Sequence, residues 1–233
     1  VWRGSWWNMA RDVAVREAKL LTNVQLASNR GLTMATVVQR ISMLVGNDKI
    51  VVTDVGQNQM FAARFSYFAN TRSWISSGGL GTMGFGLPAA IGAKKANPDK
   101  TVIAFLGDGG FQMNIQELGT LLQTGLAVKI VLMNNSWLGM VRQWQNLFYG
   151  QRYSNTTLID GVDFVKVAEG MGAAGMTVTT REELDIAIEK AFKAEGPFVI
   201  DCRIDSDEKV WPMVAPGAPI QEAFTDEDLA QKK

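Results

Sequence analysis

Residues 101–140 read TVIAFLGDGGFQMNIQELGTLLQTGLAVKIVLMNNSWLGM and contain two apolar runs separated by a helical pattern. The first run, residues 101–106, ends at Gly107-Asp108-Gly109, and the second, residues 128–133, ends at Asn134-Asn135. Two short apolar runs joined by a helix predict a right-handed βαβ unit, in which the parallel strands end on the same edge of the sheet. We therefore expect Asp108 and Asn135 to lie side by side.

This pair has the ligand chemistry of a magnesium site. Carboxylate and amide oxygens are hard ligands, and Mg²⁺ commonly completes its octahedral shell with water and phosphate oxygens. The glycines beside Asp108 leave room for a diphosphate. Either half of the pattern alone is also typical of an ordinary turn. The hypothesis of a metal and diphosphate site therefore depends on finding both halves at the ends of neighbouring strands.

The composition excludes several classes of function. Lys plus Arg equals Asp plus Glu at 23 each, which argues against nucleic acid as a partner. No run reaches the roughly 18 apolar residues of a membrane span, so we expect no membrane partner and a cytoplasmic location. Histidine is absent and Cys202 is the single cysteine, which excludes histidine triads, zinc clusters and disulfides. Acid–base chemistry must then come from a cofactor, a carboxylate or another chain.

The order of elements predicts an α/β fold with a doubly wound, mainly parallel sheet and helices on both faces. Strands are predicted near residues 50, 101, 129 and 198. Helices are predicted between them, and capping-box spacings at Asn114 and Thr180 mark two of their starts. We divide the chain into a linker or remnant of a preceding region (1–30), the main domain (31–205) and a C-terminal tail (206–233). The start Val1-Trp2-Arg3 suggests a piece of something longer.

Three other stretches are candidates for function. Residues 54–59, DVGQNQ, follow a predicted strand, where open α/β folds bind ligands. Residues 79–84 match the dinucleotide fingerprint GxGxxG, but we reject that reading because no convincing strand precedes it and no acidic strand end follows. Its glycines more plausibly let the backbone approach a flat ring. Residues 136–154 are rich in large aromatic and apolar side chains: packing of a helix on the core would explain about half of them, and the stretch also has the features of a lid over a substrate.

With these motifs in hand, the chain resembles the C-terminal, diphosphate-binding domain of the acetolactate (acetohydroxyacid) synthase family. The resemblance runs from about residue 32 to 220. It is carried by DVGQNQM (54–60), SGGLGTMGFGLPAAIGA (77–93), GDGGFQMNIQEL (107–118), MNNSWLGMVRQW (133–144) and EKVWPMVAPGAP (208–219). The GDG to NN spacing marks thiamine diphosphate enzymes in general, whereas the last two motifs point to this family.

The resemblance implies roles for particular residues. Magnesium would be bound by the side chains of Asp108 and Asn135 and the main-chain carbonyl of Trp137. Met140 and Trp144 would shape the pocket for the second 2-oxoacid. The family commonly has histidine where Asn58 stands. With asparagine at this position, a diphosphate contact would be made through the side-chain amide. The residues expected around thiamine diphosphate are Val55, Gly56, Gln57, Asn58, Gly81, Met83, Gly107, Asp108, Gly109, Gly110, Asn135, Leu138, Gly139 and Met140.

The resemblance also implies the reaction and the partners. Two 2-oxoacids would condense with loss of CO₂ in branched-chain amino acid (valine and isoleucine) biosynthesis, with the cofactor supplying the nucleophile and the internal base. The activating glutamate is expected on a pyrimidine-binding domain outside these residues, in a homodimer, a tetramer or a partner chain, so the chain alone should be inactive. FAD is expected only in a full-length enzyme, and a regulatory small subunit is possible. The alternatives are another thiamine diphosphate-dependent decarboxylase, carboligase or oxidase, or a non-catalytic cofactor-binding module.

Overall fold

A computed structural model describes residues 4–26, 31–158 and 161–230, with only the backbone of residues 16–26. The described residues form a six-stranded, all-parallel sheet with the strand order β2-β1-β3-β4-β6-β5. The strands are β1 (Lys49–Thr53), β2 (Trp74–Ile75), β3 (Thr101–Gly107), β4 (Val128–Asn134), β5 (Ala174–Val178) and β6 (Phe198–Arg203). The strands β1, β3, β4 and β6 are buried along almost their whole length and are mostly apolar because helices cover both faces of the sheet.

The helices lie on both faces of the sheet and bury two apolar layers. Side chains of α2, α3 and α9 pack on one face, and side chains of α4, α6 and α8 pack on the other. This arrangement confirms the predicted doubly wound α/β class. The helices are α1 (Gly4–Leu26), α2 (Met34–Leu44), α3 (Gln57–Phe65), α4 (Gly86–Ala96), α5 (Asp108–Met113), α6 (Leu118–Thr124), α7 (Gly139–Phe148), α8 (Phe164–Gly170), α9 (Arg181–Lys193) and α10 (Asp226–Ala230).

The chain reverses its direction across the sheet between β1 and β3. From β1 the chain continues to β2 on one side, and from β3 it continues to β4 on the other, although β1 and β3 are themselves paired. Open α/β sheets bind ligands at the carboxyl ends of strands beside such a switch point. The polar residues that follow β1, β3 and β4 therefore meet where a ligand site is expected.

Local contacts stabilise several of these elements. Thr180 with Glu183 forms a capping box at the start of α9, which confirms the prediction, and Thr33 caps α2 by accepting a hydrogen bond from the Thr36 amide. Pro88 lies in the first turn of α4, where its missing amide hydrogen costs nothing. Cys202 is fully buried in β6, and burial raises the pKa of its thiol.

The predicted capping box at Asn114 is wrong. The helix after β3 begins at Asp108, and Asn114 lies at the end of this short α5, where no side-chain cap bond is formed. A 3-10 turn, Ile115–Glu117, then leads into α6. The Asn114 side-chain amide instead donates to the Gly84 carbonyl at 2.7 Å, a contact with a residue 30 positions away that local spacing does not reveal.

The sequence also missed two strands. β2 has two residues, which is too short to show an alternation of polar and apolar positions, and it does precede the glycine-rich stretch that we described as lacking a strand. β5 is an edge strand with a largely unburied pattern, so its sequence has no apolar run. Both strands lie at the edges of the sheet, where burial imposes less on the sequence.

The two ends of the chain are more regular than predicted. The first region, predicted to be a linker or remnant, forms the helix α1, which includes the exposed Trp6 and Trp7, whereas residues 1–3 and 27–30 lie outside the described residues. The predicted tail contains an antiparallel bridge between Met213 and Phe224 and the short helix α10. Residues 231–233 of the tail lie outside the description.

Substitution of two glycines in α4 tests how closely this helix approaches the sheet. A Cβ at Gly86 would lie 2.3 Å from Leu106 Cδ2 and 2.8 Å from the Asp54 nitrogen, whereas a Cβ at Gly92 would meet nothing within 4 Å. We expect Gly86→Ala to lower the free energy of unfolding by about 1–3 kcal/mol. Gly92→Ala should raise it by about 0.5–1 kcal/mol, because alanine favours helix interiors. Denaturant unfolding measures both, and equal effects would contradict the packing described here.

Candidate functional site

A cavity of about 260 Å³ lies at the carboxyl edge of β1, β3 and β4. Every residue expected around the cofactor lines it, as does Trp137, the third expected metal ligand. Met34, Met133 and Val141 also line it and were missed by the sequence reading, since they lie among apolar residues that core packing already explains. The lining residues are Met34, Val55, Gly56, Gln57, Asn58, Gly81, Met83, Gly107, Asp108, Gly109, Gly110, Met133, Asn135, Trp137, Leu138, Gly139, Met140 and Val141.

Asp108 and Asn135 are neighbours because β3 and β4 pair in register, with Gly107 opposite Met133. Both side chains are buried, at 3% and 5% exposure. Oδ2 of Asp108 accepts a hydrogen bond of 2.6 Å from the Ser136 amide, which joins the first strand end to the loop after the second. The predicted juxtaposition of the two residues is thus confirmed.

The environment of Asp108 suits a cation. Burial raises the pKa of this carboxyl to about 6, although hydrogen bonds from the Gly109 and Ser136 amides oppose the shift. Within the described parts of the chain, Asp108 forms no ion pair with a lysine or arginine. A buried carboxylate without a basic partner is costly, and a bound divalent cation would offset that cost.

The donor set fits magnesium rather than zinc. No group of three or more Cys, Asp or Glu side chains among the described residues could hold a metal by itself. One carboxylate, one amide oxygen and a main-chain carbonyl leave several positions for water and phosphate oxygens, as Mg²⁺ prefers. The residues present therefore fit a magnesium ion that shares its shell with a phosphorylated ligand.

The start of α3 and the glycines after Asp108 provide a place for a diphosphate in the same cavity. α3 begins at Gln57 without a side-chain cap, and the unpaired amides at the start of a helix attract anions. A Cβ at Gly109 would lie 2.6 Å from Leu138 Cδ2 and 3.5 Å from Met83 Cε, so a side chain here would collide with Leu138, and glycine lets Leu138 pack closely against main chain that lines the cavity. Space and donors for a diphosphate thus lie beside the two metal-ligand candidates.

Asn58, which stands where the resembled family commonly has histidine, is buried at the edge of this cavity. Its Nδ2 donates to the Val55 carbonyl at 2.8 Å, which leaves the second hydrogen of the amide for another acceptor. Its Oδ1 has no hydrogen-bond partner among the described residues. A buried amide with unused hydrogen-bonding capacity beside a cavity is consistent with a ligand contact at this position.

Asp54 organises the glycine-rich loop, and the sequence reading did not identify this role. Its carboxylate accepts hydrogen bonds from the amides of Gly84 at 3.0 Å and Gly86 at 3.0 Å, and also from its neighbour Val55. These bonds hold residues 76–85 over the end of β1, with Gly81 and Met83 facing the cavity. The available signal was an aspartate directly after a buried strand, although nothing local to it indicates its partners 30 residues away.

The ring of Trp137 is held from two sides. The Arg142 guanidinium lies 4.0 Å from the Trp137 ring centre and 4.5 Å from that of Tyr153, and the two rings meet edge to face. Trp137 also forms an isolated bridge with Thr157. The main chain that would offer the Trp137 carbonyl to a metal is therefore well anchored.

The predicted substrate residues lie along α7, which starts at the cavity. Met140 lines both this cavity and a second one of about 560 Å³, whose wall includes Trp144. Gln143 is the single buried side chain of α7, so the core accounts for fewer of its large residues than predicted. The second cavity is apolar and is lined by Met140, Val141, Trp144, Gln145, Tyr149 and Arg152. That residues 136–154 form a lid over a substrate stays a prediction.

Comparisons with known proteins agree with this geometry. Residues 54–202 match the family described as thiamine pyrophosphate enzyme, C-terminal TPP binding domain. The chain is 49% identical over 174 residues to the acetolactate synthase large subunit of Porphyra purpurea, covering 74% of this chain and 29% of that protein. It is 49% identical over 171 residues to the acetolactate synthase isozyme 2 large subunit of Escherichia coli (strain K12), covering 73% and 31%. The chain thus spans about a third of the length of these relatives.

A solved structure has the same fold. The thiamine diphosphate-dependent 4-hydroxybenzoylformate decarboxylase of Rhodococcus jostii RHA1 superposes with a TM-score of 0.72 at 30% sequence identity, covering 78% of this chain and 34% of that one. In addition, no helix among the described residues is both long and apolar enough to cross a bilayer.

The pH dependence of stability tests the environment of Glu208, whose Oε2 accepts a 2.8 Å hydrogen bond from the Met34 amide at the start of α2. Burial raises the pKa of Glu208 from 4.5 to about 7. The folded chain therefore holds this proton more tightly than the unfolded chain, so its contribution to stability is complete below about pH 4.5 and is lost as the pH rises to about 7.

We expect Glu208→Gln to remove this decline. The difference in the free energy of unfolding between wild type and variant, measured by urea unfolding from pH 4.5 to 8, should fall with rising pH. Glu222→Gln, at an exposed glutamate of the same tail, is the control and should give a flat difference. A flat difference for Glu208→Gln as well would show that its carboxyl titrates normally.

Proposed function

The chain belongs to the thiamine pyrophosphate enzyme family, whose C-terminal TPP-binding domain its residues 54–202 match, and from this premise we propose that it is the diphosphate- and magnesium-binding part of an acetolactate synthase. The observation that carries the proposal is the cavity in which Asp108 and Asn135 meet the start of α3 and the glycine-rich loop. The proposed substrates are two 2-oxoacids, pyruvate with either pyruvate or 2-oxobutyrate.

Each wall of the cavity has a proposed task. Asp108, Asn135 and the Trp137 carbonyl hold magnesium, and the amides at the start of α3 bind the diphosphate together with Asn58. The loop carried by Asp54 presents the Gly81 backbone and the Met83 side chain to the aminopyrimidine. When bound, the cofactor supplies the carbon nucleophile and an internal base. This division of tasks requires no histidine, in agreement with a sequence that has none.

The second cavity supports an assignment of the acceptor 2-oxoacid pocket to α7. Met140 connects the two cavities, and Trp144 forms an aromatic wall stabilised by an edge-to-face contact with Phe148 at 5.2 Å. An apolar wall of this kind favours a short alkyl group on the acceptor and keeps water away from the reacting atoms. We propose that these side chains determine which 2-oxoacid is accepted.

Further parts of the proposal go beyond this chain's own residues. We propose that activity requires a pyrimidine-binding domain that contributes the activating glutamate, within a homo-oligomer or from a partner chain. Five further points stay predictions. They are the division into residues 1–30, 31–205 and 206–233, a role in valine and isoleucine biosynthesis, FAD in a full-length enzyme, a regulatory subunit and a cytoplasmic location. A decarboxylase is the second candidate, favoured by the likeness to the 4-hydroxybenzoylformate enzyme.

Calorimetry with thiamine diphosphate and MgCl₂ tests the site itself. We expect binding that depends on magnesium, and Asp108→Ala should abolish it because the carboxylate ligand is lost. Asp48→Ala, at an aspartate whose side chain is 70% exposed, is the matched control and should bind like wild type. Binding that survives Asp108→Ala unchanged would refute the assignment of the metal site.

Product analysis tests the reaction. With pyruvate, cofactor and magnesium, we expect this chain alone to make no acetolactate at ordinary enzyme rates, and we expect acetolactate when a pyrimidine-binding domain of an acetolactate synthase is added. Acetolactate at normal rates from the chain alone would contradict the need for a second domain. Acetaldehyde as the main product of the assembled enzyme would favour the decarboxylase instead.

A further inference from the structure

The side chain of Gln57 uses all of its hydrogen-bonding groups within the protein. Its Oε1 accepts a 3.3 Å hydrogen bond from Asn135 Nδ2. Its Nε2 donates one hydrogen to Gln143 Oε1 at 3.1 Å and the other to the Glu208 carbonyl at 2.8 Å. Gln57 is only 4% exposed, so this arrangement is a buried network rather than a surface contact. The side chain has no amide hydrogen left to offer to a phosphate.

The orientation of the Gln57 amide is determined by its neighbours. Gln143 is itself held by Val210, which donates its amide to Gln143 Oε1 and accepts from Gln143 Nε2. A flipped Gln57 would place Oε1 against two carbonyl-type oxygens and Nε2 against the NH₂ group of Asn135. Burial makes such unpaired contacts costly. One amide orientation therefore dominates at residue 57.

This orientation in turn determines how Asn135 faces the site. The nitrogen of the Asn135 amide is directed to Gln57, and its oxygen accepts a 3.1 Å hydrogen bond from the Trp137 amide. An amide can bind a cation only through its oxygen, so a ligand of this type has to be prevented from flipping. Groups that orient a metal ligand in this way strongly influence metal affinity.

Close packing keeps the pair together. A Cβ at Gly139, the first residue of α7, would lie 2.1 Å from Gln57 Oε1 and 2.6 Å from Asn135 Nδ2. The two amides can therefore meet only because residue 139 has no side chain. The start of α7, the tail around Glu208 and the loop that carries the proposed metal ligand Asn135 (residues 135–138, the metal loop) are joined at this point.

We propose that Gln57 is a positioning residue for the metal, which holds the Asn135 amide with its oxygen available to magnesium, and that the diphosphate contact expected of Gln57 is made by its main chain alone. This inference rests on the proposed function, because it requires the site to bind magnesium with a phosphorylated cofactor. The distinguishing property is that Gln57 acts through Asn135 rather than on the cofactor.

A double-mutant cycle measured by calorimetry tests this. The magnesium dissociation constant is determined at saturating thiamine diphosphate for wild type, Gln57→Met, Asn135→Asp and the double variant. Gln57→Met should weaken magnesium binding about tenfold or more. In the Asn135→Asp background the same change should matter less than about twofold, because either carboxylate oxygen can bind the ion and no orientation is needed.

Controls separate this inference from a general loss of structure and from the proposed function. Gln59→Met removes the same chemical group from the same helix outside the cavity and should bind magnesium like wild type. Gly139→Ala places a methyl group between Gln57 Oε1 and Asn135 Nδ2 and should reproduce the loss of magnesium affinity seen with Gln57→Met. Thermal unfolding of each variant checks that it folds. Equal losses in both Asn135 backgrounds, or no loss in either, would overturn the positioning role. Absence of magnesium-dependent binding in wild type would instead overturn the proposed function, and the inference with it.

Discussion

The parallel pairing of β3 with β4 is the constraint on which the site depends. In a parallel pair, residues in register leave the sheet on the same edge, so opposition of Gly107 and Met133 brings Asp108 and Asn135 to one place. A shift of one residue in this register would separate the carboxylate from the amide and would move each side chain of the shifted strand into the opposite core layer, where it does not fit. The same interactions that bury the core thus determine the spacing of the metal ligands.

Around Asp108 and Asn135, buried polar side chains connect the loops to the strands and helices by hydrogen bonds. Asp54 joins the end of β1 to the loop that precedes α4, and Gln57 joins the metal loop to α7 and the tail. Unpaired polar groups in such positions would cost stability, whereas satisfied networks give loops a single conformation. This explains how irregular segments, which contribute little to the core, can still present backbone atoms to a ligand in a defined way.

Elements with a repeated local pattern could be predicted from the sequence. Features that depend on contacts between residues far apart in the sequence could not. The apolar runs of β3 and β4, the capping box at Thr180 and the glycines after the strands could be identified from local patterns, and they sufficed for the fold class and for the juxtaposition of Asp108 with Asn135. Most other residues of the cavity were expected only from the family resemblance, and Met34, Met133 and Val141 were missed. The two-residue β2 was not readable, because no period can appear in two positions. Asn114 has the sequence spacing of a capping box, but its side-chain amide donates to the Gly84 carbonyl, 30 residues earlier. A tertiary contact therefore takes the place of the local cap.

The residues proposed to bind magnesium and diphosphate do not by themselves distinguish one thiamine diphosphate enzyme from another. The chain shares its fold with a decarboxylase at 30% sequence identity. Over the matched region, about half of its residues are identical to those of acetolactate synthase large subunits. Magnesium and diphosphate make the same demands in each enzyme, so the discrimination between a proton and a second 2-oxoacid as the acceptor has to come from elsewhere. α7 is the element of this chain that we propose for this role: it begins four residues after Asn135, and its partly exposed apolar side chains line a separate cavity. Because the absence of a side chain at Gly139 lets the start of α7 pack against Gln57 and Asn135, the helix proposed to select the acceptor begins beside the residues proposed to hold the metal.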